Sequence, residues 1–334
     1  MKKSYYLFNP GRLQRKDHTF KFIPTNEEGV AGTPKYLPVE GVEEFFVFGS
    51  LDANSAILNY LGQRSIMVHY FDYYENYTGS YMPRDYLLSG KMLIQQVAHY
   101  TSRKKRGVVA RSFLEGAAFN MLRNLKYYQS RGYELAGNIE RISALRDTIE
   151  GQEDIPELMG IEGNIRMTYY EAFDVILKDL KMEGRSKQPP KNEVNALISF
   201  GNMMCYVLCL KCLYHTQLNP TVSYLHSPGE RRYSLALDMA EVFKPLLVDR
   251  TVFKVLNKKS IQARDFDTRL NKIRLKEGGK KKFVQAWEER LNETITHRTM
   301  KRKVSYKHLV KLECYKLSKH LLGIEDYKPF KAWW

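Results

Sequence analysis

Cysteine is scarce in this chain: four in 334 residues. So few thiols in so long a chain exclude a disulfide scaffold and agree with a reducing compartment. No apolar run reaches the roughly 18 residues that a membrane span needs. The start, Met1-Lys2-Lys3-Ser4-Tyr5-Tyr6, is basic but has no long apolar stretch behind it, so no signal peptide is expected. The expected location is cytoplasmic. Phosphate-loop patterns are missing too. Neither Gly-x-x-x-x-Gly-Lys-Ser/Thr nor Gly-x-Gly-x-x-Gly occurs, which argues against a nucleotide-driven enzyme. Gly-x-Ser-x-Gly and His-Glu-x-x-His are also absent.

Acid is in short supply: 37 Asp and Glu against 53 Lys and Arg leave a net charge of +16. The imbalance is local. From Thr251 to Trp334 there are 22 basic and 9 acidic residues. The clusters Lys280-Lys281-Lys282 and Lys301-Arg302-Lys303 carry much of it, with Phe283, Trp287 and Tyr306 between them. Any one cluster reads as a solvated helix face. Together they attract a polyanion, and nucleic acid is the natural partner. A membrane surface fits less well, because no helix there has a wide apolar face.

What is present is enough apolar sequence for a core, 43% of the chain, which excludes a disordered protein. The first ~85 residues show strand patterns: Tyr5–Phe8, Thr19–Pro24, Glu44–Gly49 and Ser65–Phe71, with a helical pattern over Leu51–Gly62. Composition changes near Met82-Pro83-Arg84, after which Gly and Pro thin out. Helical periodicity then predicts helices over Lys91–Arg103, Val108–Ser130, Tyr133–Ile149, Asp154–Lys181, Asn192–Tyr214, Ser234–Lys244, Lys280–Thr299 and Tyr306–Leu322. The expected fold is α+β: a β-rich domain over 1–85, then a larger all-α domain over 86–334.

Three stretches bear on chemistry. Cys205, Cys209 and Cys212 match the spacing of a cluster-binding motif, but they sit in an apolar helical run and read as core thiols. His226 precedes a Ser227-Pro228-Gly229 turn and then a helix whose Asp238 and Glu241 share a face, with Ser234 as its expected cap. Imidazole with carboxylates suits Mn²⁺ or Mg²⁺. Ion pairs with Arg231, Arg232 and Lys244 would use the same acids. Lastly, Glu162 lies between small residues, with Arg166 four residues on. Gly163 is unfavourable inside a helix and implies a close approach.

Taken in order, these residues resemble the CRISPR-associated adaptation integrase family along the whole chain. The match runs through Gly160-Ile161-Glu162-Gly163 with Arg166 and Tyr169, Arg185 with Pro189-Pro190, and Asn195-Ala196-Leu197-Ile198-Ser199-Phe200-Gly201. It continues through Asn219-Pro220, Leu225-His226, Ser234–Asp238, Glu241 and Phe243-Lys244-Pro245. The tail from Tyr306 to Phe330 resembles the I-B branch. The resemblance implies a β domain that forms the dimer interface and a helical catalytic and DNA-binding domain. It implies a homodimer that assembles with a small partner, Cas-two, and inserts DNA fragments (spacers) into a CRISPR array. The family also cuts branched double-stranded DNA with a divalent metal, Mg²⁺ or Mn²⁺. Its metal ligands and catalytic residues fall on Glu162, His226 and Glu241, with Asp238 as a supporting acid. Many members carry Asp where Glu241 stands. Arg166, Arg185, Lys187, Arg231 and Arg232 are the candidates to hold the DNA backbone. A basic, non-catalytic DNA-binding scaffold is the other reading.

Overall fold

A computed structural model describes residues 2–333 except 27, 85, 86, 88, 188, 230–232 and 269–272. The chain divides into two compact units, Met1–Tyr86 and Leu87–Trp334.

The first unit holds two four-stranded sheets and one helix. Its elements are β1 (Lys3–Leu7), β2 (Gly11–Lys16), β3 (Thr19–Pro24), β4 (Lys35–Pro38), β5 (Val42–Val47), β6 (Leu51–Asp52), α1 (Ser55–Gln63), β7 (Met67–Phe71) and β8 (Tyr77–Tyr81). One sheet has the order β1-β5-β7-β8, with only the last pair antiparallel; the other is β4-β3-β2-β6. Leu13, Phe20, Phe45, Val68, Ile57 and Leu61 share one core between them. Asn54 begins α1 by accepting from the Ile57 N–H at 3.1 Å. Strand β2 goes unannounced because Gly11-Arg12-Leu13-Gln14-Arg15-Lys16 is mostly polar; pairing with β3 makes it a strand.

The second unit is helical: α2 (Gly90–Thr101), α3 (Arg103–Gln129), α4 (Ala136–Asp147), α5 (Ile155–Glu171), α6 (Phe173–Ile176), α7 (Glu193–Tyr214), α8 (Ser234–Lys244), α9 (Arg250–Asn257), α10 (Glu277–Asn292) and α11 (Tyr306–Leu321). Two small ribbons interrupt it, β9 (Phe266–Asp267) with β10 (Arg274–Leu275), and β11 (Thr294–Thr296) with β12 (Lys303–Ser305).

Helix α7 is the buried axis of this unit. It is long and apolar enough to cross a membrane, yet 78% of its apolar window is buried inside the protein. Asn192 caps it, accepting from the Asn195 N–H at 2.9 Å. Gly201 is required: a Cβ there would come within 2.5 Å of Val248.

Several expected helices end early. The pattern over Asp154–Lys181 breaks after α6, where the Asp174 carboxylate takes the N–H groups of Met182 and Glu183 and turns the chain. The pattern over Lys280–Thr299 stops at Asn292, and Thr294–Thr296 pairs as a strand. Ser234 does not cap α8; its hydroxyl donates to the Thr221 carbonyl at 2.7 Å. Pro245, which has no N–H, follows α8, and the chain runs through a π-helical turn over Pro245–Asp249 before α9.

Candidate active site

The acids of α5 and α8 meet on one guanidinium. Arg166 lies one turn after Glu162 on α5 and donates through Nε to Glu162 Oε1. Its Nη2 pairs with Glu241 Oε2 on α8. Lys244, one turn after Glu241, reaches Glu241 Oε1 at 2.7 Å. Arg166 Nη1 also reaches the Tyr170 hydroxyl at 3.5 Å. These groups are largely withdrawn from solvent: the Glu241 side chain is 4% exposed and Glu162 14%.

Electrostatics follow from that crowding. Burial alone would raise the Glu162 carboxyl, but the Arg166 charge and hydrogen bond, with Lys244 and His226 nearby, hold it below its usual value. Burial and the Arg166 charge push the Lys244 amine down to about 8.

His226 is fixed by Asp238. The fully buried Asp238 carboxylate accepts the N–H groups of Tyr224 at 2.7 Å, Leu225 at 3.0 Å and His226 at 2.9 Å. It also takes His226 Nδ1 at 2.7 Å. An ionised carboxylate only accepts, so Nδ1 carries the ring proton and Nε2 is the nitrogen that presents a lone pair. Asp238 therefore organises the loop and sets the tautomer.

The segment after α6 brings further cations. Arg185 donates to Asn195 Oδ1 at 2.9 Å and to the Ser199 hydroxyl at 3.0 Å. The buried Asn195 amide donates to the Gly184 carbonyl at 2.9 Å and accepts the Ser186 N–H at 2.8 Å, which pins the segment to α7. Burial lowers the Arg185 guanidinium, and partial burial with the charges of Arg185, Lys244 and Arg166 lowers the Lys187 amine. Arg185, Lys187, Arg166 and Lys244 thus share one electrostatic neighbourhood with Glu162. Arg231 and Arg232 lie outside the described residues.

Sequence reasoning missed Asp249. It closes the π-helical turn, 3% exposed, and hydrogen-bonds Tyr169. Asn124 donates to that tyrosine's hydroxyl at 3.0 Å and to the Pro245 carbonyl at 2.6 Å. Burial pushes Asp249 up to about 7, with the Tyr169 bond and the charges of Arg166, Lys244 and Arg185 pulling the other way. The available signal was an acid closing the apolar run Leu246-Leu247-Val248. At Gly163 no part of this chain makes the expected close approach. A Cβ at Gly163 or Gly160 would meet nothing within 4 Å, so the face of α5 beside Glu162 is bare, not crowded.

Two carboxylate groups and an imidazole with its tautomer set by a carboxylate are hard-to-borderline donors of the type that Mg²⁺ and Mn²⁺ accept. Among the described residues, no three His, Cys, Asp or Glu side chains are close enough to hold an ion in this arrangement. Arg166 and Lys244 supply the positive charge that the two glutamates face. The donors fit the ion chemically, provided Arg166 yields. The cysteines offer no rival site: Cys205, Cys209, Cys212 and Cys314 are buried, and burial holds the Cys209 thiol well above its ordinary value.

The family model for CRISPR associated protein Cas1 matches residues 5–289. A CRISPR-associated endonuclease Cas1 from Fusobacterium nucleatum is 48% identical over 335 residues, covering 100% of this chain and 98% of the relative. A CAS1 protein from Thermotoga maritima superposes with a TM-score of 0.85 at 38% identity, covering 97% of this chain and 98% of that one. A casposase bound to integration product shares the fold, with a TM-score of 0.88 at 18% identity over 100% of this chain and 95% of its own. The match over nearly the whole chain places this protein in the CRISPR-associated Cas1 family.

Proposed function

We propose that this protein is a divalent-metal-dependent DNA endonuclease and integrase that joins short foreign DNA fragments into a CRISPR array. The observation that carries the reading is the convergence of Glu162 and Glu241, from separate helices, on the guanidinium of Arg166, with His226 in the electrostatic neighbourhood of Glu162.

Glu162, Glu241 and His226 Nε2 would hold Mg²⁺ or Mn²⁺. When bound, the ion neutralises charge on a phosphodiester and acidifies an attacking hydroxyl or water. The chain's own residues do the rest. Asp238 keeps His226 in the tautomer that exposes Nε2. Arg166, released from the two acids, and Lys244 can face phosphoryl oxygens. Arg185, held by Asn195 and Ser199, and Lys187 extend the positive field along the strand. Such contacts position the backbone without reading sequence. The bare surface of α5 at Gly160 and Gly163 leaves room for that backbone beside Glu162. The attack is a direct displacement at phosphorus with no protein nucleophile: a P–O bond forms to a DNA 3′-OH or water as one P–O ester bond of the attacked strand breaks, and the leaving strand end takes up a proton as a free hydroxyl. DNA, a second copy of the chain and the small Cas2 protein are the partners we assign.

Strand transfer and cleavage of a branched duplex test this reading, run with Mn²⁺, with Mg²⁺ and with chelator. His226→Ala runs beside wild type. Activity that needs metal and disappears in the variant, with DNA binding intact, supports the assignment. Equal activity in His226→Ala refutes it. Wild type that binds DNA but stays inactive with metal and Cas2 points to a scaffold whose acids serve only as ion-pair partners.

A further inference from the structure

A second cationic site lies on the same unit. A cavity of about 320 Å³ opens between the end of α3, α9 and α10. Arg131, Arg250, Lys254, Lys258 and Arg290 line it, against one acid, Glu293. None of these residues belongs to the Glu162–Glu241 constellation.

The lining is built. Arg290 is 8% exposed; its Nε donates to the Leu246 carbonyl at 2.8 Å and its Nη1 pairs with Glu293. Its guanidinium sits 4.1 Å from the ring centre of Tyr306. The buried Arg290 Nη2 has no hydrogen-bond partner among the described residues. Arg131 and Arg250 lie 4.0 and 4.1 Å from the ring centre of Tyr127. Lys254 is tied to Glu289 at 2.8 Å. Burial pushes the neighbouring Tyr128 hydroxyl up to about 12, so it keeps its proton and remains a donor.

This chemistry selects the ligand. The cavity offers many donors and few acceptors. Glu293 is taken by Arg290, and Asn257 is spent on the Ile176 carbonyl and the Lys178 N–H. Few acceptors remain for the amino groups of A, C or G. Tyr127 already carries two guanidinium groups, so it is a poor platform for base stacking. An anion with several oxygens suits a fork of arginines. We propose that this cavity seats a backbone phosphate of the DNA, as a sequence-independent anchor apart from the reacting phosphodiester. The inference rests on the reading of the chain as a DNA-joining enzyme.

The test is binding of a fluorescent branched duplex across a KCl series, in chelator so that no chemistry intervenes. Arg131→Gln with Lys258→Gln removes two exposed rim charges without touching the buried Arg290. Affinity at low salt is expected to fall roughly ten-fold, and the slope of log K against log salt to flatten by roughly one to two contacts. The charge-keeping pair Arg131→Lys with Lys258→Arg is expected to retain most of both. An unchanged affinity and slope in the glutamine pair overturns the inference and leaves the active-site reading standing. Wild type that does not bind DNA at all overturns both.

Discussion

His226 Nδ1 and Asp238 Oδ1 are 2.7 Å apart, and the same carboxylate gathers three consecutive backbone N–H groups. One side chain therefore fixes both the loop and the ring that the loop carries. Asp238→Asn keeps the size but gives up charge and offers a donor where only acceptors fit. Activity is expected to fall about 10–100-fold, as for other partners that orient a metal-binding histidine. Stability should drop by about 1–3 kcal/mol. Metal-dependent cleavage and urea unfolding measure the two. Unchanged cleavage would show that the ring needs no such anchor.

Arg166 is the hinge of the second prediction. Removing it takes away the guanidinium that Glu162 and Glu241 share and leaves Lys244 paired to Glu241. Breaking a buried ion pair by one partner costs about 3–5 kcal/mol; partial exposure puts this site near the lower end. If the donors accept a divalent ion, Mn²⁺ should raise the melting temperature of Arg166→Met more than that of wild type. Saturation at a hundred times Kd is worth about 2.7 kcal/mol. Thermal melts with and without chelator decide it. No response to Mn²⁺ in either protein removes the metal assignment.

Gly163 separates folding from chemistry. Ala in its place should stabilise α5 by up to about 1 kcal/mol, since the added methyl meets nothing. If DNA lies against this bare surface, the same methyl should weaken cleavage several-fold. Melting temperature and single-turnover rate should then move in opposite directions. A rise in both would place the DNA elsewhere.

Asp249 predicts a pH signature. Its folded value, about 7, lies above the ordinary 3.8. Between those values the unfolded chain has released the proton and the folded one retains it. Stability from this group is thus complete at low pH and is lost as pH rises towards 7. The full difference is on the order of 4 kcal/mol. Asp249→Asn should flatten the fall. The stability difference between variant and wild type, followed by denaturant unfolding from pH 4 to 8, measures it. A difference constant with pH sinks the prediction.

Local signals were legible where one force acts alone. Asn192 before an apolar run foretold the start of α7, and Ser234–Lys244 was delimited correctly even though Ser234 proved no cap. Strand β2 was hidden because its polar residues become a strand only through pairing with β3. Helix α9 was missed because Pro245 breaks the backbone pattern ahead of it. At the site, spacing put Glu162 beside Arg166 and Asp238 near Glu241. What spacing could not supply was Arg166 reaching from α5 to α8, or Asn124 reaching from α3 to Tyr169. Such contacts between helices distant in the chain depend on packing, which no local pattern encodes.

Helix α7 has a consequence for the protein's synthesis. Helices α8, α9 and α11, which pack on it, are all translated later. About ninety residues separate its end from the start of α11, or roughly 5–20 s of synthesis at about 5–20 residues per second. For that interval a segment with the hydropathy of a membrane span stands partly uncovered outside the exit tunnel. Chaperones and translocation machinery compete for such segments. A nascent chain stalled before α11 should therefore be captured by them more readily than one stalled after it.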